Sequence, residues 1–159
     1  MKEAAQRRSR SVEIAVEGVP RPRWQRAFAA FCAAAMEAAG YESWDLAILL
    51  CGDTRMSDLN HRYRQKKGPT DVLSFLREES SPRPGPIAGD LALSLDTLRR
   101  NAAEFGCTEE EELKRLTVHG ILHLGGMDHG PGRGGPMMKL QEKLLGQLQN
   151  VRITRGRTL

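Results

Sequence analysis

Residues 11–17 read S-V-E-I-A-V-E, polar and apolar in alternation, the period of a half-buried strand, and Gly18 and Pro20 close it. Residues 22–39 then carry Trp24, Phe28, Phe31, Ala35 and Met36 at helical spacing in an alanine-rich stretch, which predicts a packed helix ending at Gly40. The nearly continuous apolar run at 44–51 (W-D-L-A-I-L-L-C) predicts a buried central strand, after which Gly52 and Asp53 turn the chain. Ser57 is read as the cap of a short helix over 58–64, and residues 70–75 as a third strand. The stretch 77–86, with its prolines and serines, predicts a surface loop, and the alternation at 89–94 a fourth strand.

An amphipathic helix is expected over 95–105, stopped by Gly106. Thr108 and Glu111 then form a T-x-x-E capping box, with Glu109, Glu110 and Glu112 adding the negative charge that a helix N-terminus favours. That helix runs through Leu113, Leu116, Ile121 and Leu122 into a group of histidines. After a loop at 130–136, a last helix from 137 to about 149 is expected to use Met138, Leu140, Leu144, Leu145 and Leu148 as its apolar face. These elements predict an α+β fold: one compact domain over 12–149, a four-stranded mixed sheet with about five helices, between a basic arm at 1–11 and a basic tail at 150–159.

The chemistry concentrates at 118–130, V-H-G-I-L-H-L-G-G-M-D-H-G, where His119, His123 and His129 are spaced His-x3-His-x5-His. Residues four apart share a helix face, so His119 and His123 can present two imidazoles to one point. Gly125 and Gly126 are expected to end the helix through left-handed backbone, bringing His129 round as a third ligand. Three imidazoles with a vacant fourth position suit a catalytic zinc, and Asp128 is available to orient one of them. Ordinary helix and loop histidines would account for the pair, but not for a third behind a Gly-Gly break. The spacing is similar to the extended zincin pattern H-E-x-x-H-x-x-G-x-x-H, with Gly120 where those peptidases need a glutamate base.

With 159 residues, 40% hydrophobic and 28% charged, the chain has the composition of one soluble domain. No apolar run approaches the ~20 residues that span a bilayer, and no secretory signal is apparent, so a cytoplasmic location without membrane attachment is expected. Cys32, Cys51 and Cys107 fit reduced, mostly buried thiols. The formal charge of +4 comes from the two ends, +3 from residues 1–11 and +3 from 150–159, and the body between is slightly acidic. Such ends either touch nucleic acid or are simply solvated.

A second group, Arg62, Arg64, Lys66 and Lys67 with Tyr63 among them, precedes a Gly-Pro turn. It can hold phosphates and offer a ring for stacking, or it can be a solvated helix end favoured by the macrodipole. Taken in order, L-N-H-R-Y-R-Q-K-K-G-P-T-D-V-L-S-F, G-D-L-A-L-S and H-G-I-L-H-L-G-G-M-D-H resemble the YbeY family of rRNA maturation endoribonucleases over roughly residues 59–129. The resemblance implies a zincin-like domain, one Zn2+ on His119, His123 and His129, and metal-dependent, single-strand-specific cleavage of RNA. It further implies a role in 16S rRNA 3′-end maturation and ribosome quality control, with the ribosome or a small-subunit precursor as partner. Arg64 takes the place of the arginine important for activity in that family. Family members usually have acidic residues after the last histidine, and often aspartate at Lys67 and proline at Leu76, so the cleft's charge and loop shape differ here.

The expected chemistry is attack on a phosphodiester by zinc-activated hydroxide, or deprotonation of the neighbouring 2′-hydroxyl, with Arg64 steadying the charge on phosphate. Two alternatives compete: a ribosome-associated assembly factor whose zinc is mainly structural, and a small zinc hydrolase acting on another bond, against which Gly120 argues.

Overall fold

The apolar run becomes the central strand β2 (Ser43–Cys51) of the computed structural model, which describes residues 9–77, 84–128, 135–156 and 158–159. Strand β1 (Arg10–Glu17) pairs with β2 in parallel. Strands β3 (Val72–Leu76) and β4 (Pro86–Ser94) complete a sheet of order β1-β2-β4-β3, in which β4 runs parallel to β2 and the outer strand β3 antiparallel to β4. Among the described residues five helices pack with it: α1 (Gln25–Ala38), α2 (Asp53–Arg64), α3 (Leu95–Phe105), α4 (Glu109–Leu124) and α5 (Pro136–Gln147). The expected α+β domain, with a four-stranded mixed sheet and five helices, is what forms.

Side-chain alternation divides the sheet. Trp44, Leu46, Ile48 and Leu50 of β2 join Ile87, Leu91 and Leu93 of β4 in one buried cluster with Phe28, Phe31, Leu113, Leu116, Ile121 and Leu144. The opposite face carries a small second cluster of Cys51, Met56, Leu59, Leu73 and Ala92 beneath α2. The apolar burial that drives folding is thus concentrated on one side.

Three local expectations change. Helix α2 starts at Asp53 with Gly52 as its N-cap, and Ser57 lies inside it. The carboxylate of Asp96 accepts from the Asp53 amide (2.9 Å), and a Cβ at Gly52 would stand 2.7 Å from Asp96 Oδ2, so the start is set by a partner 43 residues away. In α5 the buried stripe is Met137, Gln141, Leu144 and then Leu148, whereas Met138, Leu140 and Leu145 are half-buried, because a polar residue takes a core position. At the end of α4 only Gly126 is left-handed (φ +85°); Gly125 has φ −76°, and its missing Cβ makes room for the Tyr41 hydroxyl.

The basic tail is anchored where it is described. Ile153 is buried, the amides of Ile153 and Thr154 both donate to Glu110 Oε1 at 2.6 Å, and that of Leu159 donates to Glu109 Oε2 at 2.8 Å. Residues 1–8 of the arm, 78–83 of the proline-rich loop and 129–134, which include His129, lie outside the described residues. Cys32 and Cys51 are free and buried, Cys107 free and half-buried, as expected. Among the described residues no helix is long and apolar enough to cross a membrane.

Candidate functional site

Helix α4 is fixed firmly at its N-terminal end. Its capping box is complete: Thr108 Oγ1 accepts from the Glu111 amide (3.1 Å) and Glu111 Oε2 from the Thr108 amide (2.8 Å). Within it, buried Glu112 takes two hydrogen bonds from Arg115, and these raise the arginine's pKa above its ordinary value despite its desolvation. At its C-terminal end, His119 and His123 lie one turn apart with ring centroids 4.6 Å apart and Nε2 atoms 3.1 Å apart.

Their orientation has a visible cause on a different helix. Gln141, on the buried face of α5, places Oε1 2.9 Å from His119 Nδ1. An amide oxygen only accepts, so Nδ1 carries the proton and Nε2 keeps its lone pair facing His123. Two nitrogens bound to one tetrahedral zinc at ~2.0–2.1 Å stand about 3.3 Å apart, close to the spacing found here. The pair therefore fits a metal. Among the described residues no group of three histidine, cysteine or carboxylate side chains stands together, and His129 is not among them.

Gly120, between the two histidines, faces the sheet. A Cβ there would meet Leu91 Cδ2 at 2.8 Å, and the Gly120 carbonyl accepts from Ser74 Oγ at 3.3 Å. The position that holds the peptidase glutamate in the zincin pattern is here the close contact between α4 and the strands, where a larger side chain would have to displace Leu91.

The histidines open into a cleft of about 740 Å³ bounded by β3, the end of α2 and the end of α4; Arg64, Asp71, Ser74, His119, His123 and Asp128 are in its lining. Arg64 reaches it from the last turn of α2, where the chain reverses at Gln65 (φ 53°). The reversal is braced by buried Asn60, whose side-chain amide donates to the Gly68 carbonyl (2.9 Å) while its main-chain carbonyl accepts from the Lys66 amide (3.3 Å). Arg62, Lys66 and Lys67 are exposed but are not among the lining residues, and Arg62 leans toward Asp58 at 3.9 Å. The structure thus separates Arg64 from the basic residues around it. Asp128 is exposed on the cleft, and Gln141 is a partner of the His119 imidazole.

Asp71 is a further polar group at this mouth. Its carboxylate accepts from the Val72 amide (2.8 Å) and from Asn101 Nδ2 (3.1 Å), which also reaches Glu112 Oε1 at 3.4 Å. The cleft edge is thereby tied to the helix that carries the histidines.

Comparison with known proteins adds to this geometry. A family model described as Endoribonuclease YbeY matches residues 11–149. The chain belongs to the YbeY endoribonuclease family. Relatives named Endoribonuclease YbeY include one from Treponema denticola, 47% identical over 72% of this chain and 77% of its own, and one from Treponema pallidum, 40% identical over 86% and 88%. A solution structure from Thermotoga maritima shares the fold with TM-score 0.58 and 24% identity, covering 87% of this chain and 92% of its own. In this YbeY family member the residues that sequence reasoning passed over, Gln141, Asn60 and Asp71, each reach a partner 8 to 30 residues away in sequence. Only a helical period with an amide at a core position, as at Gln141, signals any of them in advance.

Proposed function

We propose that this family member is a metal-dependent, single-strand-specific endoribonuclease of the cytoplasm, acting in 16S rRNA 3′-end maturation and ribosome quality control on the ribosome or its small-subunit precursor. The observation that carries the reading is the convergence of the His119 and His123 Nε2 atoms, 3.1 Å apart, in a cleft that Arg64 also lines, in a chain of an endoribonuclease family. His119 and His123, with His129 as third ligand, would hold one Zn2+. When bound, such an ion supplies a water of lowered pKa and a Lewis acid for a phosphoryl oxygen.

The protein's own part is positioning. Gln141 fixes the His119 tautomer, and the buried frame of α4 keeps the imidazoles converged. Arg64 lies in the cleft wall, where its guanidinium is suited to grip a phosphate by two parallel hydrogen bonds and to steady the charge that builds there. Arg62, Lys66 and Lys67 are exposed beside it and would steer the RNA backbone toward the cleft by charge. Asp128, at the rim, would orient a ligand once the site is filled. The packing at Gly120 supports a phosphodiester rather than an amide as substrate, because the peptidase base would have to displace Leu91 there.

The test pairs metal content of protein purified without added metal with cleavage of a labelled single-stranded rRNA 3′-end fragment. Wild type should hold about one zinc per chain and cut the strand; His119→Ala should lose both. Arg64→Ala should keep its zinc and lose about 10²-fold or more in turnover, the usual scale for one charge-stabilising group. Zinc with RNA binding but no cutting would reject the nuclease reading in favour of an assembly factor, and wild-type turnover in Arg64→Ala would reject that residue's role.

A further inference from the structure

The sheet face opposite the main core is only partly covered. Beside α2 it leaves an apolar groove of about 480 Å³, with Ala47 and Leu49 of β2, Ala92 of β4 and Leu59 of α2 in its wall and the carboxylates of Glu13 and Asp90 at its margins. This groove and the histidine cleft lie on either side of the outer strand β3, and they share two lining residues, Tyr63 and Phe75. The two rings meet edge to face with centroids 5.2 Å apart. Phe75 anchors the pair, since it packs against the small cluster under α2, while Tyr63 remains 56% exposed next to Arg64. A large aromatic ring held by a half-buried neighbour and turned outward between two cavities is a stacking platform.

We infer that the cleft and the groove form one binding track around β3, in which Tyr63, backed by Phe75, stacks a nucleobase of the strand whose phosphate is gripped by Arg64. This rests on the endoribonuclease reading above and names a base subsite for it. The chemistry divides along the track. The histidine cleft offers a cation, Arg64, to the phosphate; the groove offers apolar walls and a π-face to the base, and the Glu13 carboxylate at its margin repels a phosphate. Asp90 is already paired with Arg77 (3.0 Å), and Glu13 stands on exposed β1 as an acceptor for an exocyclic amine. Stacking of this kind is sequence-tolerant, because every base has a π-face, and it needs an unpaired base. It therefore gives a physical source for preference toward single strands.

The experiment compares the wild-type chain, Tyr63→Ala and Tyr63→Phe on a labelled single-stranded RNA, and on a set of the same strand with one abasic nucleotide moved across the cut bond. Tyr63→Ala should raise KM about 5- to 100-fold on the intact strand, the range of one lost base stack, with kcat nearly unchanged and Tyr63→Phe close to wild type. For one abasic position next to the cut, wild type and Tyr63→Ala should become equal. Equal KM values on the intact strand would overturn the inference and leave the groove to a protein partner; a deficit of Tyr63→Ala that persists with every abasic strand would also overturn it. If wild type neither cuts nor binds the strand, the endoribonuclease reading falls and takes this subsite with it.

Discussion

The two faces of the sheet are built from the same four strands, yet they do different work. The face toward α1, α4 and α5 is closed: Leu46, Leu50, Leu93 and Leu113 have no solvent exposure, and small residues let the layers approach, as at Gly120. The face toward α2 is sealed only by Met56, Leu59 and their few partners, and its remainder is open groove. Most of the apolar burial lies on the first face, and the second keeps an open groove. The histidines belong to the closed side, since α4 packs there, but they stand at its margin, in the cleft beside the outer strand.

The strongest attempt to break this contrast is to put a carboxylate into the closed face. Gly120→Glu should destabilise the chain by about 4 kcal/mol or more, or prevent folding, because it both overpacks against Leu91 and buries a charge. A stable variant by denaturant unfolding, above all one that gained peptidase activity, would refute the account of this position. A matched pair of truncations sharpens the contrast. Leu46→Ala should cost about 2–5 kcal/mol, whereas Leu59→Ala, 7% exposed at the edge of a small cluster that can relax, should cost below about 2 kcal/mol. Equal losses in unfolding free energy would mean that the two faces share the load.

The smallest effect concerns how α2 is fastened to the open face. Burial alone would raise the pKa of Asp53, but hydrogen bonds from Thr97, Ser94 and Arg100, with the Arg100 charge, hold it below the ordinary carboxylate value. A carboxylate lowered in the folded state contributes stability above its unfolded pKa and loses it as pH falls through the folded one. The difference in denaturant midpoint between wild type and Asp53→Asn should thus be present at neutral pH and shrink below about pH 4, the ordinary carboxylate range. A difference that stayed constant down to pH 2 would rule out this linkage.

Much of the fold was legible because its signals are local. The alternation in β1, the apolar run in β2, the stop at Gly106 and the Thr108–Glu111 box each speak about a few neighbouring residues, and each element formed where expected. The start of α2 was not legible: its cap comes from Asp96, on another helix. For the candidate site the same division holds. The four-residue spacing of His119 and His123 gives their convergence directly, while Gln141 becomes their partner only once α5 packs against α4. Charge alone could not single out Arg64 from Arg62, Lys66 and Lys67; that takes the reversal at Gln65, which turns one of them toward the cleft.

The anchored tail also has a consequence for the order in which the protein is made. Glu109 and Glu110, in the first turn of α4, take their hydrogen bonds from amides 43 to 50 residues further along. At a synthesis rate of about 5–20 residues per second, those amides follow roughly 2–10 s behind the helix they secure. During that interval the first turn of the histidine-bearing helix has its capping box but not its fastening to the tail.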